Sequence, residues 1–118
     1  MAAAKINLVI EKGAKFTKKF IWQDANKAPI DNSAYEARMQ IRETLESSTI
    51  VLELTTTTSG ITLGGANGEI NLEIGATVTD AITIKSGVYD LELYDPLDLD
   101  DVIRLIQGQI NVVQSVTR

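Results

Sequence analysis

From Tyr35 to Arg42 the chain alternates without a break, with Tyr35, Ala37, Met39 and Ile41 on one parity and Glu36, Arg38, Gln40 and Arg42 on the other. Successive side chains of a strand point to opposite faces, so this order demands a strand with one face in a core and one in water. A helix would scatter both sets around its circumference. The same period returns in Ile6, Leu8 and Ile10, in Phe16, Phe20 and Trp22, in Ile50, Leu52 and Leu54, and in Ile61 and Leu63. It returns again in Ile70, Leu72 and Ile74, in Tyr89, Leu91 and Leu93, and in Ile106, Ile110 and Val112. Lys18 interrupts one apolar parity and is expected near an open end, where its ammonium reaches water.

Turn chemistry separates these runs. Gly64-Gly65-Ala66-Asn67-Gly68 supplies residues that tolerate positive φ and predicts a hairpin. A phosphate cradle at this position would need a following Lys-Ser/Thr and a helix, and neither is present. Thr79 and Asp80 are helix-starting types, so one helical turn is expected near 77–82, bridging two sheets. Gly108, inside the last strand, predicts a bulge or a close backbone approach.

Seven to eight short strands at about ten-residue spacing point to an all-β antiparallel sandwich or barrel. The choice of an immunoglobulin-like antiparallel β-sandwich rests on Asp80, Gly87-Val88-Tyr89 and Leu91. They resemble the corner in which a buried Tyr hydroxyl bonds back to upstream backbone, two residues before a core position. Trp22 is the expected large core anchor. At 118 residues the chain makes a single domain, 1–118.

Histidine and cysteine are both absent, which removes the commonest general base, the thiolate nucleophile and the usual zinc ligands. No enzymatic activity and no cofactor are therefore expected. No apolar run reaches the roughly 18 residues of a membrane helix, so membrane insertion is not predicted. Residues 1–42 carry eight Lys or Arg and four acids, whereas residues 43–118 carry three and twelve. The net charge of −5 argues against nucleic acid as a partner.

Asp95, Asp98, Asp100 and Asp101 crowd one loop and form the candidate metal site, although their spacing lacks the glycine and terminal Glu of an EF-hand. A hairpin tip between Leu93 and Val102 needs polar residues in any case. Tyr94 is expected to be exposed there. The alternative function is a ligand-binding module for calcium or a surface glycan, built on the Asp95–Asp101 loop.

Four stretches carry a family resemblance: Tyr35 with Ala37-Arg38-Met39-Gln40-Ile41-Arg42, Ile61-Thr62-Leu63-Gly64-Gly65, Gly87-Val88-Tyr89-Asp90-Leu91-Glu92-Leu93, and Arg104-Leu105-Ile106-Gln107-Gly108 to Val116-Thr117-Arg118. Together they resemble small structural proteins of tailed bacteriophages, similar to the N-terminal immunoglobulin-like domain of phage baseplate upper proteins. The resemblance implies a virion location after synthesis in the host cytoplasm. It also implies a multi-copy head, neck or tail subunit, acting as accessory, adaptor or decoration, with other virion proteins as partners. Contacts are expected from strand edges, loops and terminal arms at 1–5 and 114–118, through Lys5, Tyr94, Thr117 and Arg118. A host-surface glycan is the other partner considered.

Overall fold

The computed structural model describes residues 3–114, so Thr117 and Arg118 and most of the expected C-terminal arm lie outside the described residues. In chain order the elements are β1 (Ala4–Lys5), β2 (Leu8–Glu11), β3 (Phe16–Ile21), β4 (Glu36–Arg42), β5 (Leu52–Thr55) and β6 (Ile61–Leu63). β7 (Glu69–Ile74), a helical turn α1 (Ala76–Asp80), β8 (Ser86–Asp95) and β9 (Asp98–Val113) complete them. The larger sheet runs β1 and β2, β9, β8, β4, β5, and the smaller runs β3, β7, β6. This is the expected immunoglobulin-like sandwich, with eight strands if β1 and β2 count as one interrupted strand.

Between the sheets lies an apolar interior built by the alternating positions. Ala37, Met39 and Ile41 of β4 and Leu91 and Leu93 of β8 face Ile70, Leu72 and Ile74 of β7, all essentially without exposure. Each such Leu or Ile stabilises the fold by roughly 1.5–3 kcal/mol relative to an exposed position. Trp22 closes one end of this core and meets Tyr35 edge to face, with ring centroids 5.4 Å apart. Asn32, fully buried, ties the loop beneath that pair to the small sheet: its amide nitrogen donates to the Glu69 carbonyl and its amide oxygen accepts from the Gly65 nitrogen.

The Gly64–Gly68 segment joins β6 to β7 as a hairpin, with a short 3-10 turn over Gly65–Asn67 and Gly68 at φ 70°. α1 connects the two sheets, as its sequence predicts. Its start is Gly75 and not Thr79. Thr79 sits in the last turn, fully buried, where its hydroxyl accepts from the Gly13 nitrogen and donates to the Ala14 carbonyl, pinning α1 to the β2–β3 turn. Lys18 is exposed, with its ammonium 5.7 Å from the Phe20 ring centroid. Ile50 lies outside β5 and is 40% exposed, so only Leu54 of its expected trio is fully inside.

Two features of the larger sheet depart from simple alternation. A register shift leaves Leu105 without a partner on β8, because Leu91 pairs with Ile106 and Glu92 with Arg104. That extra residue switches parity and lets Ile103 join Ile106 and Ile110 in packing on the core. In addition β1 and β2 run parallel to β9, so the sheet is antiparallel everywhere except along this edge.

Tyr89 explains how the parallel strand is held. It is 4% exposed, pairs across the sheet with Gly108, and donates its hydroxyl to the Ile6 carbonyl at 2.6 Å. The upstream backbone it secures is therefore the N-terminal strand, between β1 and β2. Gly108 makes the geometry feasible, since any Cβ there would collide with that carbonyl oxygen.

Burial pushes the Tyr89 pKa up to about 12. Below the ordinary value near 10 the phenol is protonated in both states, and its contribution to stability is fully present. Between about 10 and about 12 the unfolded chain releases the proton first, so stability falls as pH rises. Tyr89→Phe is expected to lose about 1 kcal/mol at neutral pH. It should also flatten the alkaline limb of stability measured by denaturant unfolding, and identical pH slopes in both proteins would contradict this account.

Candidate functional site

The outward parities of β4, β8 and β9 lie on one face of the larger sheet, because these strands are neighbours. Arg38 bonds Glu92 at 2.9 Å, and Arg104 meets Asp90 at 3.3 Å. Tyr94 belongs to this face. It is half-buried and not exposed, because the Arg38 guanidinium from the adjacent strand stacks 4.6 Å from its ring centroid. Partial burial and the neighbouring Glu92 raise the Asp90 pKa, against the opposing pull of Arg104, Arg38 and Arg42.

Toward the end of this face where Gly108 lies, a shallow depression of about 580 Å³ opens between Lys5, Gln40, Arg42, Val88, Arg104 and Gln109. Lys5, one of the expected contact residues, reaches it because β1 pairs with β9 at Gln107. Arg42 donates to the Ser47 carbonyl and to the Gln40 side-chain oxygen, which fixes its guanidinium without neutralising it. Leu45, 80% exposed, stands at the rim.

The β8–β9 hairpin forms the opposite end. Asp95 pairs with Asp98 across Pro96 and Leu97. Proline cannot take the positive φ of the turns that match strand twist, and none of these residues has positive φ. The mismatch is absorbed by a second register shift, between Tyr94, which pairs with Val102, and Asp95. Leu97 and Leu99 are left 95% and 79% exposed.

Three of the four candidate metal ligands have other duties at this tip. Asp95 accepts the Leu97 nitrogen, Asp98 accepts the Asp100 nitrogen, and Asp101 accepts the Tyr35 hydroxyl at 3.1 Å. That last bond is the first cause of a raised Tyr35 pKa. Among the described residues no three acidic side chains are grouped to hold a metal ion. The acids shape the turn and give it negative charge.

The loop was legible as an acidic tip, but its leucines were not singled out. Their signal was available: a two-residue hairpin connection ordinarily takes Gly, Asn or Asp, and this one has Leu97. The depression had no sequence signal, since Lys5, Arg42 and Arg104 come from three distant segments.

No family model matches the chain, and no curated protein matches it in sequence. The backbone is similar to solved immunoglobulin-like domains at low identity. One, from work on multimeric cell-adhesive interactions of voltage-gated sodium channel β subunits, has a TM-score of 0.50 at 12% identity, covering 92% of each chain. A structure described as Tim-1 has a TM-score of 0.48 at 12% identity, covering 100% of this chain and 99% of the other. The extracellular domain of the sodium channel β4 subunit, described as a parallel homodimer, has 0.48 at 13%, covering 98% and 97%. The likeness at 0.50 bears on the fold alone.

These findings overturn the phage resemblance. The solved domain that reaches a TM-score of 0.50 comes from a sodium channel β subunit and not from a phage baseplate, no family model or curated protein matches, and the virion location falls with that reading. The physical reason lies in the motifs that carried it. Ala37-Arg38-Met39-Gln40-Ile41 and Gly87 to Leu93 are half-buried strands whose alternation is imposed by the sandwich, whatever its lineage.

Proposed function

We propose that this chain is a non-enzymatic protein-binding module that engages its partner through the outer face of the larger sheet and the β8–β9 tip. The observation that carries this is the pair Leu97 and Leu99, held in water on a hairpin whose turn chemistry would be better served by polar residues. Scattered apolar residues are ordinary on a surface, but two at the end of one hairpin form a contact point. Support also comes from the filled interior, which leaves recognition to surfaces, and from the absence of His and Cys.

Electrostatics add direction. The tip carries four carboxylates and the depression three cations against Asp90, so a complementary partner would be steered to each. The test is a photo-crosslinking amino acid placed at Leu97, at Leu45 and, as a control, at Ile21 on the smaller sheet, exposed to extract of the source cells. Polypeptide adducts are expected from the first two positions and not from Ile21. Adducts from none of them would contradict the proposal.

A further inference from the structure

The tip and the depression are complementary to each other, and they sit at opposite ends of the same strand pair. The tip spans Asp95 to Asp101, with Leu97 and Leu99 exposed among four aspartates. The depression draws on Val88 and Asp90 of β8 and on Arg104 to Gln109 of β9, with Lys5 and Arg42 beside them. Among the described residues neither Lys5 nor Arg42 forms an ion pair, and Arg104 is shared only with Asp90. Leu45 and Val88 provide apolar surface at the rim for a leucine to cover.

We infer that a second copy of this chain is the occupant of this surface: two copies pack with their larger sheets face to face and antiparallel, each seating the Leu97 end of its tip, with Asp98 and Asp100, which share the outward parity of Val102, in the other's Lys5–Arg42–Arg104 depression. This rests on the reading of the tip as a binding element and names its partner. Antiparallel packing is the arrangement that satisfies both ends at once. The tip and the centre of the depression are separated along β8 and β9 by about five to ten residues, or roughly 17–33 Å. A two-fold axis through the middle of that span brings each tip over the other depression, and the contact closes as a dimer without leaving a free end for filament growth. The charges explain why the parallel arrangement is disfavoured, since it would set Asp98 and Asp100 of one copy against the same carboxylates of the other.

The dimer is read by sedimentation velocity on the purified chain over a range of concentrations up to millimolar. A concentration-dependent dimer is expected, weaker at about 0.5 M salt than at about 0.05 M because its contacts are partly exposed ion pairs. Leu97→Asp should raise the dissociation constant about 30-fold or more, as loss of a central anchor does. Two further variants guard against a folding artefact. Arg42→Glu with Arg104→Glu, and Asp98→Lys with Asp100→Lys, should each be monomeric alone, yet form a heterodimer when mixed, because each mixed contact then pairs opposite charges. A monomer at every concentration, a dimer indifferent to the tip variants, or no heterodimer on mixing overturns the inference. If the chain is monomeric but a crosslinker at Leu97 still captures another polypeptide, the self-association falls and the binding-module reading stands.

Discussion

Leu91→Ala should destabilise the protein by about 2–5 kcal/mol, whereas Glu92→Ala, one residue further along the same strand, should cost under about 1 kcal/mol. Leu91 has no exposure and packs where β8 crosses the core between β4 and β9, so removing its branched end leaves a void that a close-packed interior refills poorly. Glu92 faces out, and its pair with Arg38 is half-covered and still reached by solvent. The contrast between adjacent residues follows from a period of two and from nothing else in the local sequence. Urea unfolding of the two variants measures it directly, and similar losses would mean that β8 is not half-buried in this way.

Gly108→Val is expected to cost about 3 kcal/mol, at the upper end of what overpacking does. The added Cβ meets the Ile6 carbonyl, and the N-terminal strand must leave β9 or bend away from it. Leaving forfeits the Tyr89 hydrogen bond, the Ile6 to Gln107 backbone bond and the Asn7 side-chain bond to Gln109. The same collision supplies its own control. In a chain lacking residues 1–7 the valine has nothing to strike, so its cost should shrink to that of an ordinary strand substitution. Thermal or denaturant unfolding of the four proteins in the cycle measures the coupling, and equal costs in both backgrounds would remove Ile6 from the explanation.

Much of the fold was readable because burial on one face writes itself into sequence. β4 and β8 lie inside the larger sheet with core on one side and water on the other, and their alternation is unbroken. Reading became harder where a residue answers to something other than the pleat. Leu105 is an extra residue that flips parity, and no local chemistry announces it. The parallel pairing of β2 with β9 leaves no trace in either strand, because pairing direction depends on a partner about 100 residues away. Thr79 reads as a helix starter, yet its hydroxyl serves a turn that precedes it by 65 residues.

The site divides along the same line. Asp95 to Asp101 is contiguous, so its charge was visible, and the duty of those carboxylates in holding the turn required coordinates. Tyr94 reads as exposed from its parity. The stacking of Arg38 over it depends on which strand lies alongside. The phage resemblance failed because the motifs behind it are those any sandwich strand must have, so they report the fold and not the lineage.

Native-state hydrogen exchange followed residue by residue tests the central claim most directly, namely that a solid two-layer core fixes every inward position and leaves recognition to the outer face and the tip. The slowest amides, exchanging only by global unfolding, should be those of β4, β7, β8 and the middle of β9, while Leu97 and Asp100, bonded only to neighbouring carboxylates, exchange quickly. Fast exchange throughout β8 and β7, or strong protection confined to the 95–101 tip, would contradict it.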